Sequence, residues 1–119
     1  MIKIGESTKI SFRSPAELIE KFDALARELG YNRSALFRRA VRKFFADLQQ
    51  NEDLIYEVRK LPYVSYYNKV RMKQYTVNLR DDDYYLLRSF QEYCVRFDFP
   101  VSMMVRASMA YFLKLYNAL

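Results

Sequence analysis

Lys9-Ile10-Ser11-Phe12-Arg13 alternates strictly, with Ile10 and Phe12 toward one face and Lys9, Ser11 and Arg13 toward the other. A period of two marks a half-buried strand. Ser14-Pro15 follows and reads as a helix start, with Ser14 as the expected N-cap and Pro15 at the first helical position. Leu18, Ile19, Phe22, Leu25, Ala26 and Leu29 then recur at helical spacing, one apolar stripe on an amphipathic helix. Gly30 suits a left-handed C-terminal residue. Asn32 suits the N-cap of a second helix, in which Leu36, Ala40, Val41, Phe44 and Leu48 form the stripe. The order is strand, helix, tight turn, helix.

The second half repeats that order. In Gln74-Tyr75-Thr76-Val77-Asn78-Leu79-Arg80, Tyr75, Val77 and Leu79 fall inward and Gln74, Thr76, Asn78 and Arg80 outward. Asp81-Asp82-Asp83 stands at the next helix start, where carboxylates cap free amides and complement the dipole. Leu86, Leu87, Phe90, Tyr93, Cys94 and Phe97 occupy the places of Leu18, Ile19, Phe22, Leu25, Ala26 and Leu29. After Asp98-Phe99-Pro100, Ser102-Met103-Met104-Val105-Arg106 mirrors Ser34-Ala35-Leu36-Phe37-Arg38. Met109 and Phe112 match Val41 and Phe44. Ile10 aligns with Val77 at a shift of 67 and Leu18 with Leu86 at 68, so one residue is expected to be inserted at the helix start.

The segment between the copies predicts a short helix over Asn51 to Lys60, capped by Asn51 and ending before Leu61-Pro62. Tyr63-Val64-Ser65-Tyr66-Tyr67 is β-prone. It reads either as an extra strand beside the ribbon or as an extended connection.

Composition narrows the function. The 119 residues are 51% hydrophobic and 17% aromatic, with 2 Gly and 3 Pro, too few turn formers for an all-β chain. Units this small bury little core alone, so two are expected to share one. The net charge is +6, and residues 1–50 hold ten Lys and Arg against six Asp and Glu. The first half is therefore expected to bind a polyanion more strongly. One cysteine, Cys94, and no histidine exclude a Cys/His zinc site and the usual general base. No Gly-rich phosphate loop or nucleophile elbow occurs, so neither catalysis nor a cofactor or small-molecule substrate is expected. The N-terminus, Met1 to Glu6, has no signal-like run, and no stretch approaches a membrane span. The expectation is a soluble protein of the host-cell cytoplasm.

Gly30-Tyr31-Asn32-Arg33-Ser34, followed by Leu36, Arg38, Ala40 and Val41, resembles the turn and second helix of the ribbon-helix-helix family of Arc, MetJ and CopG type repressors. Val77-Asn78-Leu79-Arg80 resembles the Arc-type ribbon. The tandem arrangement resembles regulators encoded by archaeal viruses. The resemblance implies a mostly α fold with a short antiparallel β ribbon, two tandem ribbon-helix-helix units forming an intrachain pseudo-dimer. The units are residues 1–50 and 73–119, sharing one core, with 51–72 as linker.

It further implies a transcription regulator, a repressor or dual-acting factor, whose ribbon lies in the major groove of double-stranded DNA. Lys9, Ser11 and Arg13 are then the base readers of the first copy and Thr76, Asn78 and Arg80 those of the second, with Gln74 as a further candidate at the strand's edge. Second-helix N-termini hold phosphate through Asn32-Arg33-Ser34 and Val101-Ser102. Such chemistry fits the groove, where these side chains distinguish bases and free helical amides meet anions. Asp98 replaces the turn glycine and Pro100 the capping asparagine, so the second copy is expected to grip DNA more weakly, or chiefly to complete the fold. Pairing unlike strands within one chain predicts a non-palindromic core site unless chains associate further on DNA.

Other signals have plainer readings. Met103, Met104 and Met109 read as core packing, Cys94 as a small buried hydrophobe, and Tyr66 and Tyr67 as packing. Arg38, Arg39, Arg42 and Lys43 read first as a solvated face and second as DNA contacts. Two other functions compete with the regulator. An antitoxin uses a disordered, often acidic tail for its toxin, whereas this C-terminal half is patterned to fold. A helical assembly module uses the ribbon only to associate.

Overall fold

The computed structural model describes residues 7–65, 71–80 and 84–119. The elements run β1 (Ser7–Ser14), α1 (Ala16–Leu29), α2 (Arg33–Gln50), α3 (Leu54–Arg59), β2 (Lys73–Arg80), α4 (Tyr84–Arg96) and α5 (Val101–Leu115). Strand, helix, helix thus occurs twice, with α3 between.

β1 pairs with β2 of the same chain in an antiparallel two-stranded ribbon. Lys9 faces Asn78, Ser11 faces Thr76, Arg13 faces Gln74, and Ser7 faces Arg80. The alternation decides the faces. Ile10, Phe12, Val77 and Leu79 are buried, while Tyr75 is half-buried with its ring 5.9 Å from that of Phe12. Beneath them the helices meet in one core, where Phe12, Phe22, Phe37, Phe44 and Phe99 are fully buried. Aromatic pairs cross between the halves: Phe37 and Phe45 of α2 lie 6.4 and 6.2 Å from Phe90 of α4, and Phe44 lies 5.2 Å from Tyr111 of α5. The Tyr111 hydroxyl also donates to the Asp47 carboxylate. Met104 and Met109 are buried as expected, and Met103 packs at the margin.

The first turn forms as its residues dictate. Gly30 is left-handed at φ 81°, its N–H donates to Arg27 O at 3.2 Å, and Tyr31 N–H donates to Ala26 O at 2.8 Å. Asn32 Oδ1 accepts from Ala35 N–H at 2.8 Å and caps α2.

Four expectations are corrected. Ser14 is not an N-cap: as the next inward position after Phe12 it stays in β1, fully buried, and its hydroxyl donates to Pro15 O at 3.0 Å. Pro15, in extended conformation, takes the N-cap place without a side-chain bond. Leu29 is 36% exposed, because the last turn of α1 runs past the edge of the core. The short helix starts at Leu54, since Asn51 spends its side chain on Asp53 N–H at 3.1 Å in a local turn. Tyr63 takes a left-handed φ of 72° and Val64 turns into the core, so residues 63–65 form a turn and the ribbon keeps two strands among the described residues. Tyr66, Tyr67 and the Asp81–Asp83 cap lie outside the described residues.

Candidate nucleic-acid interface

The face of the ribbon turned away from the helices carries three cross-strand pairs of polar side chains. Lys9, Ser11, Arg13, Gln74 and Thr76 are exposed, and Asn78 is partly covered. Arg80 sits one position beyond them, opposite Ser7. Asn78 Oδ1 is a buried side-chain acceptor with no hydrogen-bond partner among the described residues. Such a group costs about 1–3 kcal/mol while it stays unpaired.

Two matching clamps hold the ribbon's edges. Ser34, in the first turn of α2, accepts from Asn78 N–H at 2.9 Å, and Arg38, one turn on, donates to Asn78 O at 3.3 Å. In α5, Ser102 accepts from Arg13 N–H at 3.0 Å and Arg106 donates to Arg13 O at 2.7 Å. Each clamp satisfies one outward-pointing N–H and C=O of a ribbon edge, groups that otherwise invite another strand. Ser34 and Ser102, like Arg38 and Arg106, stand 68 positions apart, yet their targets, Arg13 and Asn78, stand 65 apart. The strand equivalence at a shift of 67 is therefore corrected. The clamps relate the strands by an approximate two-fold through the Ser11–Thr76 pair, and the second strand-helix-helix run has three more residues than the first between its clamped strand residue and its first helix, instead of one.

Arg106 is only 4% exposed and also donates from Nε and Nη2 to Val64 O at 3.2 and 3.1 Å. It ties the segment after α3 to β1 and α5. Desolvation pulls its guanidinium below the usual arginine range. No carboxylate pairs with it among the described residues, so three carbonyl bonds hold the charge.

The helix N-termini flank this face. The Asn32 cap takes up Ala35 N–H and leaves the amides of Arg33 and Ser34 without intrahelical acceptors. The Arg33 side chain is committed inward: Nε and Nη2 reach the two Asp23 carboxylate oxygens at 2.9 and 2.7 Å, and the guanidinium lies 5.4 Å from the Tyr75 ring. That pairing raises the Arg33 pKa. At α5, Pro100 provides no side-chain cap, and Val101 is exposed beside Ser102. Asp98 adopts a left-handed φ of 55° and reproduces the first turn, with Phe99 N–H donating to Cys94 O at 2.9 Å. Glycine's place is thus filled by a strained, charged residue.

Of the basic helix face, Arg38 belongs to a clamp, Arg39 lies 5.1 Å from the Tyr31 ring, and Lys43 meets Asp47 at 3.1 Å. Cys94 is half-buried, and burial pushes its thiol up to about 11, which keeps it protonated and unreactive near neutrality. The clamping role of Arg38 and Arg106 went unread in the sequence. Its signal was there: Ser-x-x-x-Arg opens both second helices, at 34–38 and 102–106. Among the described residues, no cluster of three or more His, Cys, Asp or Glu is placed to hold a metal, and no helix is long and apolar enough to cross a membrane.

Comparison with known families finds a match. The family described as ribbon-helix-helix protein, CopG family, matches residues 8–47, which hold all of β1 but its first residue, α1 and most of α2. Proteins of that family generally bind double-stranded DNA and regulate transcription. No curated protein and no solved structure matches the chain.

Proposed function

We propose that this chain is a sequence-specific regulator of transcription that reads the major groove with its β1–β2 ribbon. Its two strand-helix-helix halves act as tandem ribbon-helix-helix units within one chain. The observation that carries the reading is the ribbon's outer face: a two-stranded element of groove-filling width, clamped at both edges, presents Lys9, Ser11, Arg13, Thr76 and Asn78 away from the core. The amides of Arg33 and Ser34 on one side, and of Val101 and Ser102 on the other, hold flanking phosphates. Asn32 sets the first of these turns, and Arg33 contributes through its backbone because Asp23 holds its side chain.

The test is selection from random duplex DNA, with binding measured against salt, for the wild type and a Lys9→Ala/Ser11→Ala/Arg13→Ala variant. All three residues are exposed, so the variant is expected to fold. The wild type should enrich one motif. The variant should lose that motif and on the order of a thousandfold in affinity for it, retaining weak, steeply salt-dependent binding. Equal enrichment by both proteins removes β1 as a reader, and no binding by either removes DNA as the partner.

Asp98 offers a second prediction. Asp98→Gly relieves the left-handed strain and removes a negative charge two residues before the Pro100 N-cap of α5. Stability should rise by up to about 1 kcal/mol, the strain relief being partly offset by greater unfolded-chain entropy. DNA affinity should rise severalfold at low salt, with the gain shrinking as salt increases. Thermal denaturation and a salt titration check both; weaker DNA binding by the variant removes α5 from the phosphate contacts.

A further inference from the structure

We infer that the reading face is centred on Ser11 and Thr76, that Gln74 rather than Arg80 is the third reader of β2, and that the two half-sites carry guanine and adenine in exchanged places. This rests on the proposal that the ribbon reads bases. The centre follows from the clamps. Ser34 with Arg38 and Ser102 with Arg106 grip Asn78 and Arg13, which makes those two residues equivalent. In the observed register the midpoint between them is the Ser11–Thr76 pair. The same two-fold relates Lys9 to Gln74. It relates Arg80 to Pro15, which lies past the end of β1 and carries no polar side-chain atom. The symmetric face therefore consists of Lys9, Ser11 and Arg13 against Gln74, Thr76 and Asn78.

Chemistry then sets the half-sites. At one end Arg13 lies across from Gln74, and at the other Asn78 lies across from Lys9. Arginine and lysine favour the two acceptors of guanine, whereas asparagine and glutamine match the acceptor and donor of adenine. Where the two-fold superposes Arg13 on Asn78, one half-site carries guanine and the other adenine. Where it superposes Gln74 on Lys9, the order reverses. The central Ser11 and Thr76 tolerate either base. Asn78 supports the assignment independently: its Oδ1 has no partner among the described residues, so turning toward an adenine amino group gives up none of the hydrogen bonds seen there.

The experiment is enrichment from random duplex DNA with the wild type, Gln74→Ala, Arg80→Ala and Lys9→Gln/Arg13→Asn. Lys9, Arg13 and Gln74 are exposed, and circular dichroism verifies the fold of each variant. The wild-type motif should show the guanine–adenine exchange about its centre. Gln74→Ala should lose roughly tenfold or more discrimination at one base pair on the Arg13 side. Arg80→Ala should keep every preference. Lys9→Gln/Arg13→Asn gives both ends the same pair of readers and should convert the motif to a palindrome with adenine at both equivalent positions. Loss of a preference in Arg80→Ala with none in Gln74→Ala overturns the placement of the centre, as does a double variant that still selects an asymmetric site. A wild type that enriches nothing overturns the base-reading proposal itself, and this inference with it.

Discussion

Phe44→Ala is expected to cost about 3–5 kcal/mol and to lower the melting midpoint by roughly 10–20 °C. The ring is fully buried on α2, 5.2 Å from Tyr111 of α5 and 5.9 Å from Phe45. Its loss opens a cavity between the two helices whose first turns clamp the ribbon. A domain of this size has only about 5–15 kcal/mol in total, so one truncation removes a large share. Because the core passes through both halves, the variant should still melt in a single transition, with fluorescence and circular dichroism tracing coincident curves. Two separate transitions, or a loss under about 1 kcal/mol, defeat the assignment of one shared core.

Arg106→Ala comes next in size, at about 2–4 kcal/mol. Truncation leaves Val64 O and Arg13 O without their donors and empties the volume of a nearly buried side chain. The relief of a desolvated charge offsets part of that cost. Arg106→Met keeps most of the volume, so it separates the lost bonds from the lost packing. Function should respond locally. With its carbonyl released, Arg13 is held less firmly, and if the ribbon reads bases as proposed, discrimination at the base pairs under Arg13 and Gln74 should fall before that under Lys9 and Asn78. Denaturant unfolding gives the first number and motif enrichment the second. Uniform loss of discrimination at both ends makes Arg106 a fold residue only.

Much of this architecture was legible because it is local. Alternation in Lys9–Arg13 and Gln74–Arg80 fixes which side chains face outward, whatever the strands pair with. Gly30 and Asn32 announce their turn by backbone chemistry that few other residues supply. Equivalence between the two strands under the two-fold is a different matter. Aligning Ile10 with Val77 pairs like with like, but the inward face tolerates many apolar combinations, and the observed two-fold superposes Phe12 on Val77 and Ser14 on Leu79. What sets it is the reach of Ser34 and Ser102 to a backbone amide on the far strand, a tertiary constraint. Arg38 and Arg106 hid for a related reason: each meets a carbonyl on a strand far away in the chain, a tertiary contact. Tyr63 to Ser65 reads as strand by propensity, and burial of Val64 overrides it.

Pairing β1 with β2 inside one polypeptide has a consequence for dosage. When two separate chains must supply one strand each, the amount of complete ribbon falls with the square of concentration below their dissociation constant. Here the second strand is always at hand, so the ribbon forms without a second molecule. If the ribbon binds DNA as proposed, occupancy of a single site then rises in simple proportion to the protein concentration while that concentration is low.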